Sequence, residues 1–383
     1  MGRSEIAMIL RRLEEELSSQ FVGREEEARV AVLALATKQH AIFIGEPGTA
    51  KSALIHTLSR LVNAEYFYYL IGKYTTPDEL VGHIDPIAFK EGRFVRNTEK
   101  RILRAEIAFI DEVFRGSSEV LNTLLGIMNE RIFTDADGSI IEAPLWSLYG
   151  ASNSLPNDSD LVAFYDRFLL RKFVRRIEAS SLEEAIILNM RRKPLNRICS
   201  LSEISEFHDA VTQHMLENAT AVAKVTTQLV VALRQEGIFV SDRTATSSEY
   251  LPRLIATYSL LYGRDIRKSA MAVAKYVLPD EESIEAYRKA LDSFIPPELR
   301  EAEERLEKAR ELAASGDIQA AKRSAAESLQ LAQNLLSKPE KLELYKEDVS
   351  ELISAAEDLL KKITKIEADL RSFREGARKL QTA

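Results

Sequence analysis

The residues best suited to chemistry lie between positions 45 and 52, Gly45-Glu46-Pro47-Gly48-Thr49-Ala50-Lys51-Ser52. They follow the apolar run AIFI and open KSALIHTLSRLVN, a segment with helical spacing. A polyphosphate carries several negative charges and needs many fixed donors close together. Two glycines let the backbone curl so that successive N–H groups turn inward, and a helix N-terminus adds partial positive charge. Lys51 then has the reach for the β- and γ-phosphates of ATP, and the Ser52 hydroxyl is a ligand for Mg2+. The common form of this pattern has Gly before the lysine, whereas Ala50 stands there in this chain. Its methyl is expected to be accommodated by a helical φ.

A second constellation is EIAFIDE at 106–112, an apolar strand ending in two acids. Asp111 is expected to hold the water shell of Mg2+, and Glu112 to orient and deprotonate an attacking water. The competing assignment, a helix N-cap followed by a first-turn acid, gives way because the pair lies at the usual separation from a phosphate-binding loop. Asn153 closes the apolar run of LWSLYGAS, where its amide is placed to position the water or read the γ-phosphate; an Asx-turn is the alternative. FYDRFLLR at 164–171 carries Arg167 beside an aromatic–aliphatic helix. A planar guanidinium suits charge developing on a transferring phosphoryl group. Arg171 competes for that role, and pairing with a surface acid competes for both. Arg243, in FVSDRTA, is expected in the first turn of a helix capped by Ser241 or Asp242, and its spacing alone assigns it no task.

These residues need a scaffold that brings them to one edge. Up to about residue 190, short apolar strands (41–45, 106–111, 145–152) alternate with helical patterns such as SSEVLNTLLGIMNERI. That alternation predicts an α/β fold with a central parallel sheet. From 191 to 295 the strand signals vanish and the pattern turns helical; RRKPLNR at 191–197 is read as the hinge between the two regions, with a solvated charge run as the alternative. From Pro296 the composition shifts to Ala, Leu, Glu and Lys, predicting two or three long helices broken at Ser315-Gly316-Asp317 and Ser337-Lys338-Pro339. In the last, Val349, Leu352, Ala356, Leu359, Ile363, Ile366, Leu370 and Phe373 recur at steps of three and four, one apolar stripe of a helical hairpin or coiled coil. The predicted division is thus 1–190, 191–295 and 296–383.

Composition narrows the class. Of 383 residues 45% are hydrophobic and 29% charged, as in ordinary globular proteins. A net charge of −7 argues against nucleic acid or an anionic membrane as a whole-chain partner. Cys199 is the only cysteine, so no intramolecular disulfide can form and a cytoplasmic location is expected. The first nineteen residues read as an amphipathic helix without the apolar core of a signal peptide. No apolar run approaches the twenty residues of a membrane span.

Taken in order, FVGREEEA at 21–28, GEPGTAKS, ELVGHIDPIAFKEGRFV at 79–95, FIDEVFRGSSEVLNTLLGIMNERIF at 109–133, GASNSLP, YDRFLLR and FVSDRTA resemble the MoxR family of AAA+ ATPases, nearest the RavA-like branch, over about residues 20 to 280. That branch tolerates Ala before the loop lysine. The resemblance implies an AAA+ core, an all-α lid, ATP and Mg2+ as cofactors, and ATP hydrolysis. It makes Asn153 the sensor-1 residue, Arg167 an arginine finger acting on a neighbouring subunit and Arg243 the sensor-2 arginine, with Val22 and Gly23 bordering the adenine. It also implies a ring, usually a hexamer, that remodels protein clients, often with a von Willebrand factor A protein. Hairpins around Lys90-Glu91-Gly92 and Asp137-Gly138 would face the ring pore. Three alternatives stand beside it: a nucleic-acid motor, for which Lys90, Arg93, Arg96, Lys100, Arg101 and Arg104 would form a basic pore; a chelatase-like motor subunit; and a non-hydrolysing scaffold, which gives Glu112 and Arg167 no purpose.

Overall fold

Strands β1 (Ala41–Ile44), β2 (Tyr66–Leu70) and β3 (Ile107–Asp111) are joined in sequence by β4 (Ile132–Thr134), β5 (Ile140–Glu142), β6 (Ser147–Ser152) and β7 (Leu170–Phe173). Five of them form one parallel sheet in the order β2-β3-β6-β1-β7, while β4 and β5 pair antiparallel as a separate hairpin. The computed structural model describes residues 2–156, 158–191, 194–292, 296–336 and 345–381. Central β1 and β6 are buried at every residue, which is why they read as unbroken apolar runs rather than alternating ones. The two edge strands were not foreseen. In β2 the run YFYYL has a partly exposed face, and β7 carries Arg171 and Lys172, charges that only an edge strand tolerates easily.

Helices α1 (Arg3–Ser19), α2 (Glu25–Thr37), α3 (Lys51–Leu61), α4 (Pro77–Val81), α5 (Pro86–Lys90), α6 (Ser118–Glu130), α7 (Ser159–Tyr165) and α8 (Leu182–Met190) surround or extend the sheet. The segment around Lys90-Glu91-Gly92 is not the expected β-hairpin. Asp85 caps α5 by accepting from the Ile87 and Ala88 N–H groups, and Pro86 supplies the fixed φ of a first helical residue. Only one antiparallel bridge, Ile84 with Arg96, closes the loop. The hairpin at Asp137-Gly138 forms as expected, with Gly138 at φ +83 in its turn.

Beyond β7 the described residues are helical or irregular: α9 (Leu201–Glu217), α10 (Ala219–Gln235), α11 (Asp242–Thr246), α12 (Leu251–Tyr262), α13 (Ile266–Ala274) and α14 (Ser283–Asp292). Residues Met1–Tyr287 make one compact unit, so the sheet and helices α9 to α13 pack together. The joint is polar. Glu14 accepts from Arg29 Nε at 2.9 Å and from the Tyr262 hydroxyl, and Glu26 accepts from Lys275 Nζ at 2.8 Å and the Tyr276 hydroxyl at 2.7 Å. The helical region therefore rests on α1 and α2. Within the hinge segment, Arg192 and Lys193 lie outside the described residues.

Arg288–Ala383 forms the second unit. Helices α15 (Pro297–Ser315) and α16 (Ile318–Leu336) meet across small residues: Ser324 and Ser328 donate to the carbonyls of Arg305 and Ala302. Gly316 at φ +89 ends α15 where the break was expected. In α17 (Lys346–Gln381) Val349, Leu352, Ala356 and Ile363 are buried, as the stripe predicts, whereas Ile366 is 42% exposed. The side chains of Leu370 and Phe373, and the break at 337–339, fall outside the described residues.

Candidate functional site

The loop 45–52 leaves the C-terminal end of β1 and runs into α3. Gly45 is demanded by close approach: a Cβ there would sit 2.1 Å from the Val174 carbonyl oxygen. Gly48 has φ +78, a left-handed conformation that a side chain disfavours. Ala50 departs from the expectation of a helical φ. It lies at φ 67, ψ 17, so the position before Lys51 needs left-handed backbone, and Ala meets that need at a steric cost. The loop folds on itself: Lys51 Nζ donates to the carbonyls of Gly45 at 2.6 Å and Glu46 at 2.8 Å, and Thr49 Oγ1 donates to Glu46 O at 2.9 Å. Glu46 also pairs with Arg176. Burial lowers the Lys51 pKa, against the opposing pull of Asp111 and Glu112. Those two charges are thus close enough to act on the loop lysine.

Asp111 ends β3, two strands from β1 across β6. It is not a cap for the next long helix, because Ser117 caps α6 by accepting from Val120 N–H. Glu112 sits at φ 53, ψ 41, another left-handed non-glycine residue. One of its carboxylate oxygens accepts from Asn153 Nδ2 and the other faces Arg115 Nε at 3.3 Å. Asn153, just past β6, spends its amide on Glu112 rather than on an Asx-turn. A parallel sheet puts the ends of β1, β6 and β3 on one edge, which brings Lys51, Ser52, Asp111, Glu112 and Asn153 together. Ser52 and Asp111 offer hard oxygen donors of the kind Mg2+ takes when phosphates complete its shell. Among the described residues no group of three acidic, His or Cys side chains forms a metal cage, and a phosphate-bound Mg2+ does not need one.

Beside the loop is a cavity of about 590 Å³, within the range of small-molecule pockets. Val22 lines it. Phe21, Ile177, Leu182, Ala185 and Leu188 complete an apolar wall that the sequence did not single out. The signal was present in α8, whose Leu182, Ala185, Ile186, Ile187, Leu188 and Met190 are apolar; in the structure no residue of this helix is buried.

Arg167 and Arg243 stand apart from this edge. Arg167 lies in the turn between α7 and β7, not along the helix, and its Nε is buried with no hydrogen-bond partner. Burial and the neighbouring Arg243 lower its pKa. Ser241, not Asp242, caps the helix of Arg243. Arg243 Nη2 reaches Asp166 Oδ2 at 3.1 Å, and Arg171 Nη2 lies 3.6 Å from the other oxygen of the same carboxylate. Arg171 is turned inward, donating to the Phe168 and Val277 carbonyls, which removes it as the rival of Arg167. Two arginines thus share one acid, with Arg167 next to it in sequence, leaving net positive charge that suits an anion. Among the described residues no hydrogen bond or ion pair joins Arg167 or Arg243 to the loop at 45–52. The supposed basic pore is not continuous either: Arg96 is buried against Asp135 and Asp78, each at 2.6 Å, and Arg93 pairs with Glu91.

The sheet order, the loop after β1, the acid pair after β3 and the helical region that follows define a P-loop fold of the AAA+ type. Residues 8–209 match the family model described as the MoxR domain in the MoxR-vWA-beta-propeller ternary systems, and the chain belongs to that MoxR family. An uncharacterized protein of Methanocaldococcus jannaschii is 41% identical over 266 residues, 68% of this chain and 67% of the relative. Chaperone MoxR1 of Mycobacterium tuberculosis is 26% identical over 116 residues, 30% of each chain. A solved structure of a candidate ATPase from Cytophaga hutchinsonii, 17% identical, superposes with a TM-score of 0.59 over 76% of this chain and 94% of that one, a likeness of fold alone.

Proposed function

We propose that the chain is a Mg2+-dependent ATP hydrolase that works as a ring, nearest the RavA-like branch, and remodels protein partners in the cytoplasm. The observation that carries the reading is the edge where Lys51, Asp111, Glu112 and Asn153 converge beside the cavity walled by Val22 and Phe21. In it, ATP lies with its base in that cavity, next to Gly23, and its phosphates along Gly45, Glu46, Pro47, Gly48, Thr49, Ala50 and Lys51. Mg2+ would be held by Ser52 and by Asp111 through water, and would offset charge on the phosphates. Glu112 draws the proton from the attacking water and Asn153 orients that carboxylate.

The ring follows from Arg167 and Arg243. Both surround Asp166, away from the loop of their own chain, so the reading assigns both to a neighbour's nucleotide. Six subunits is the proposed number. Residues 1–190 serve as core, 191–295 as lid and 296–383 as a helical extension. A von Willebrand factor A protein is the proposed partner, which the description of the matched family supports. Nucleic acid loses support because Arg96 is spent on acids.

The test is ATPase activity across a protein-concentration series. Specific activity that rises with concentration in the wild type, and is abolished in Glu112→Gln and Arg167→Ala while ATP still binds, upholds the ring-forming hydrolase. Activity independent of concentration and indifferent to Arg167 sinks it.

A further inference from the structure

Arg24 occupies a position where a helix cap is expected. It is the N-cap of α2, where Ser, Thr, Asp or Asn would accept from the first N–H groups. A cation there also opposes the helix dipole. The Arg24 side chain makes no capping bond and is folded against the loop instead, only 6% exposed. Its Nε donates to the Thr49 carbonyl at 3.1 Å and its Nη1 to the Gly23 carbonyl at 3.0 Å. Glu27, 3.8 Å away, is its counter-ion. Local helix preference is given up for a bond to the loop, the kind of conflict that marks a functional position.

That bond reaches Ala50. In a trans peptide the Thr49 carbonyl and the Ala50 N–H point in opposite directions, so fixing one fixes the other. Ala50 holds a left-handed conformation that disfavours any L-residue, and its N–H donates to no described residue. The Arg24–Thr49 bond is the buried contact that anchors this peptide. We propose that Arg24 is a positioning residue of the loop. It locks the Thr49–Ala50 peptide so that the Ala50 N–H is aimed at a nucleotide's phosphates before the nucleotide arrives. The inference rests on reading 45–52 as a nucleotide loop.

The experiment is calorimetric titration with ADP of the wild type, Arg24→Ala, Ala50→Gly and the double variant, each checked by melting temperature. A charged hydrogen bond of this kind sets the scale: Arg24→Ala should weaken ADP binding about tenfold or more. Glycine takes the left-handed conformation without steric cost. Ala50→Gly should therefore restore several-fold of affinity in the Arg24→Ala background, over and above whatever it does to the wild type. A role confined to packing would lower the melting temperature without that rescue. If Arg24→Ala does not fold, Arg24→Lys carries the same comparison, because lysine keeps the charge but loses the planar fork. Binding in Arg24→Ala within about twofold of the wild type, or no rescue by glycine, overturns the proposal. Failure of the wild type to bind ADP overturns the nucleotide reading itself, and the proposal with it.

Discussion

The Asn153 side chain donates through Nδ2 to Oε1 of Glu112, tying the end of one central strand to the acid that follows another. Glu112 is held there in a left-handed backbone conformation, which costs on the order of 1–3 kcal/mol and persists only where the surroundings impose it. Arg115 faces the other carboxylate oxygen. Both oxygens are thus engaged, and the strain falls on the acid proposed as the base.

Glu112→Gln keeps the shape and the acceptor for Asn153 but cannot take a proton. It is expected to lower kcat by about 100- to 10,000-fold while ATP binding survives. Asn153→Ala frees Glu112 to misorient and should lower kcat by about tenfold or more, with ADP affinity little changed. Single-turnover hydrolysis and a separate binding titration distinguish the two effects. Loss of ADP affinity in Asn153→Ala would place that residue in nucleotide binding rather than in orienting the base.

Ala50→Gly alone should stabilise the protein. Left-handed alanine costs roughly 1–2 kcal/mol, while glycine gives back roughly 0.4–1 kcal/mol through the freer unfolded chain. The balance is roughly 0–1.6 kcal/mol in favour of the variant, read as a higher urea midpoint at unchanged slope. A lower midpoint would mean that the Ala50 methyl makes packing contacts that outweigh its backbone strain.

Much of the site was legible because its chemistry is local: the loop at 45–52 and the acids at 111 and 112 sit between elements whose patterns are strong. The φ of Ala50 was not legible, since no neighbour in sequence reports that its peptide is pinned by Arg24. FYDRFLLR reads as an aromatic–aliphatic helix with Arg167 beside it. In the structure α7 ends at Tyr165 and LRKF becomes the edge strand β7, its charges excused by edge position and by the inward bonds of Arg171. The loop at 79–95 looked like a hairpin because turn residues separate apolar ones. Capping of α5 by Asp85 decided otherwise. Pairing of Arg243 with Asp166 joins residues 77 apart in sequence, which no spacing rule reaches.

Arg243→Ala tests whose nucleotide that arginine serves. If it acts across a subunit boundary, ADP binding to dilute protein should be unchanged while the activity gained on raising protein concentration falls by about tenfold or more. An arginine acting on its own chain's nucleotide would weaken ADP binding at every concentration. Mixing Arg243→Ala with Glu112→Gln sharpens the reading, since a shared site recovers activity from two inactive partners.

Arg96 is a joint between the two loops inserted into the core. Its guanidinium bonds both oxygens of Asp135, on the hairpin of β4 and β5, and one of Asp78, in the first turn of α4. Side-chain exposure is 5% for Arg96 and 1% for Asp135, so removing one partner strands the other away from water. Arg96→Ala should cost about 3 kcal/mol, and Asp135→Asn somewhat less. The double variant should cost less than the sum, and urea denaturation of all four proteins measures the coupling. Strict additivity would show that the pair holds nothing together.

His40 sets an acid limit on the fold. Its ring is buried, with Nδ1 accepting from the Leu148 N–H and Nε2 within 3.0 Å of the Met128 carbonyl. Burial, helped by the nearby Arg131 charge, pushes its pKa down to about 3. In the unfolded chain the same ring titrates at its ordinary value of about 6.5. The folded state therefore binds fewer protons than the unfolded state between those two values. Stability from the neutral ring is fully present above about pH 6.5 and is lost as pH falls towards 3, by up to about 1.4 kcal/mol per pH unit. Carboxylates add their own acid sensitivity below about pH 5, so the measurement is a difference: urea midpoints from pH 7 to 5 for the wild type and His40→Gln. The wild type should lose stability over that window and the variant, though weaker at pH 7, should lose less. Parallel curves would show that His40 is charged in the folded protein or takes no part in the pH dependence.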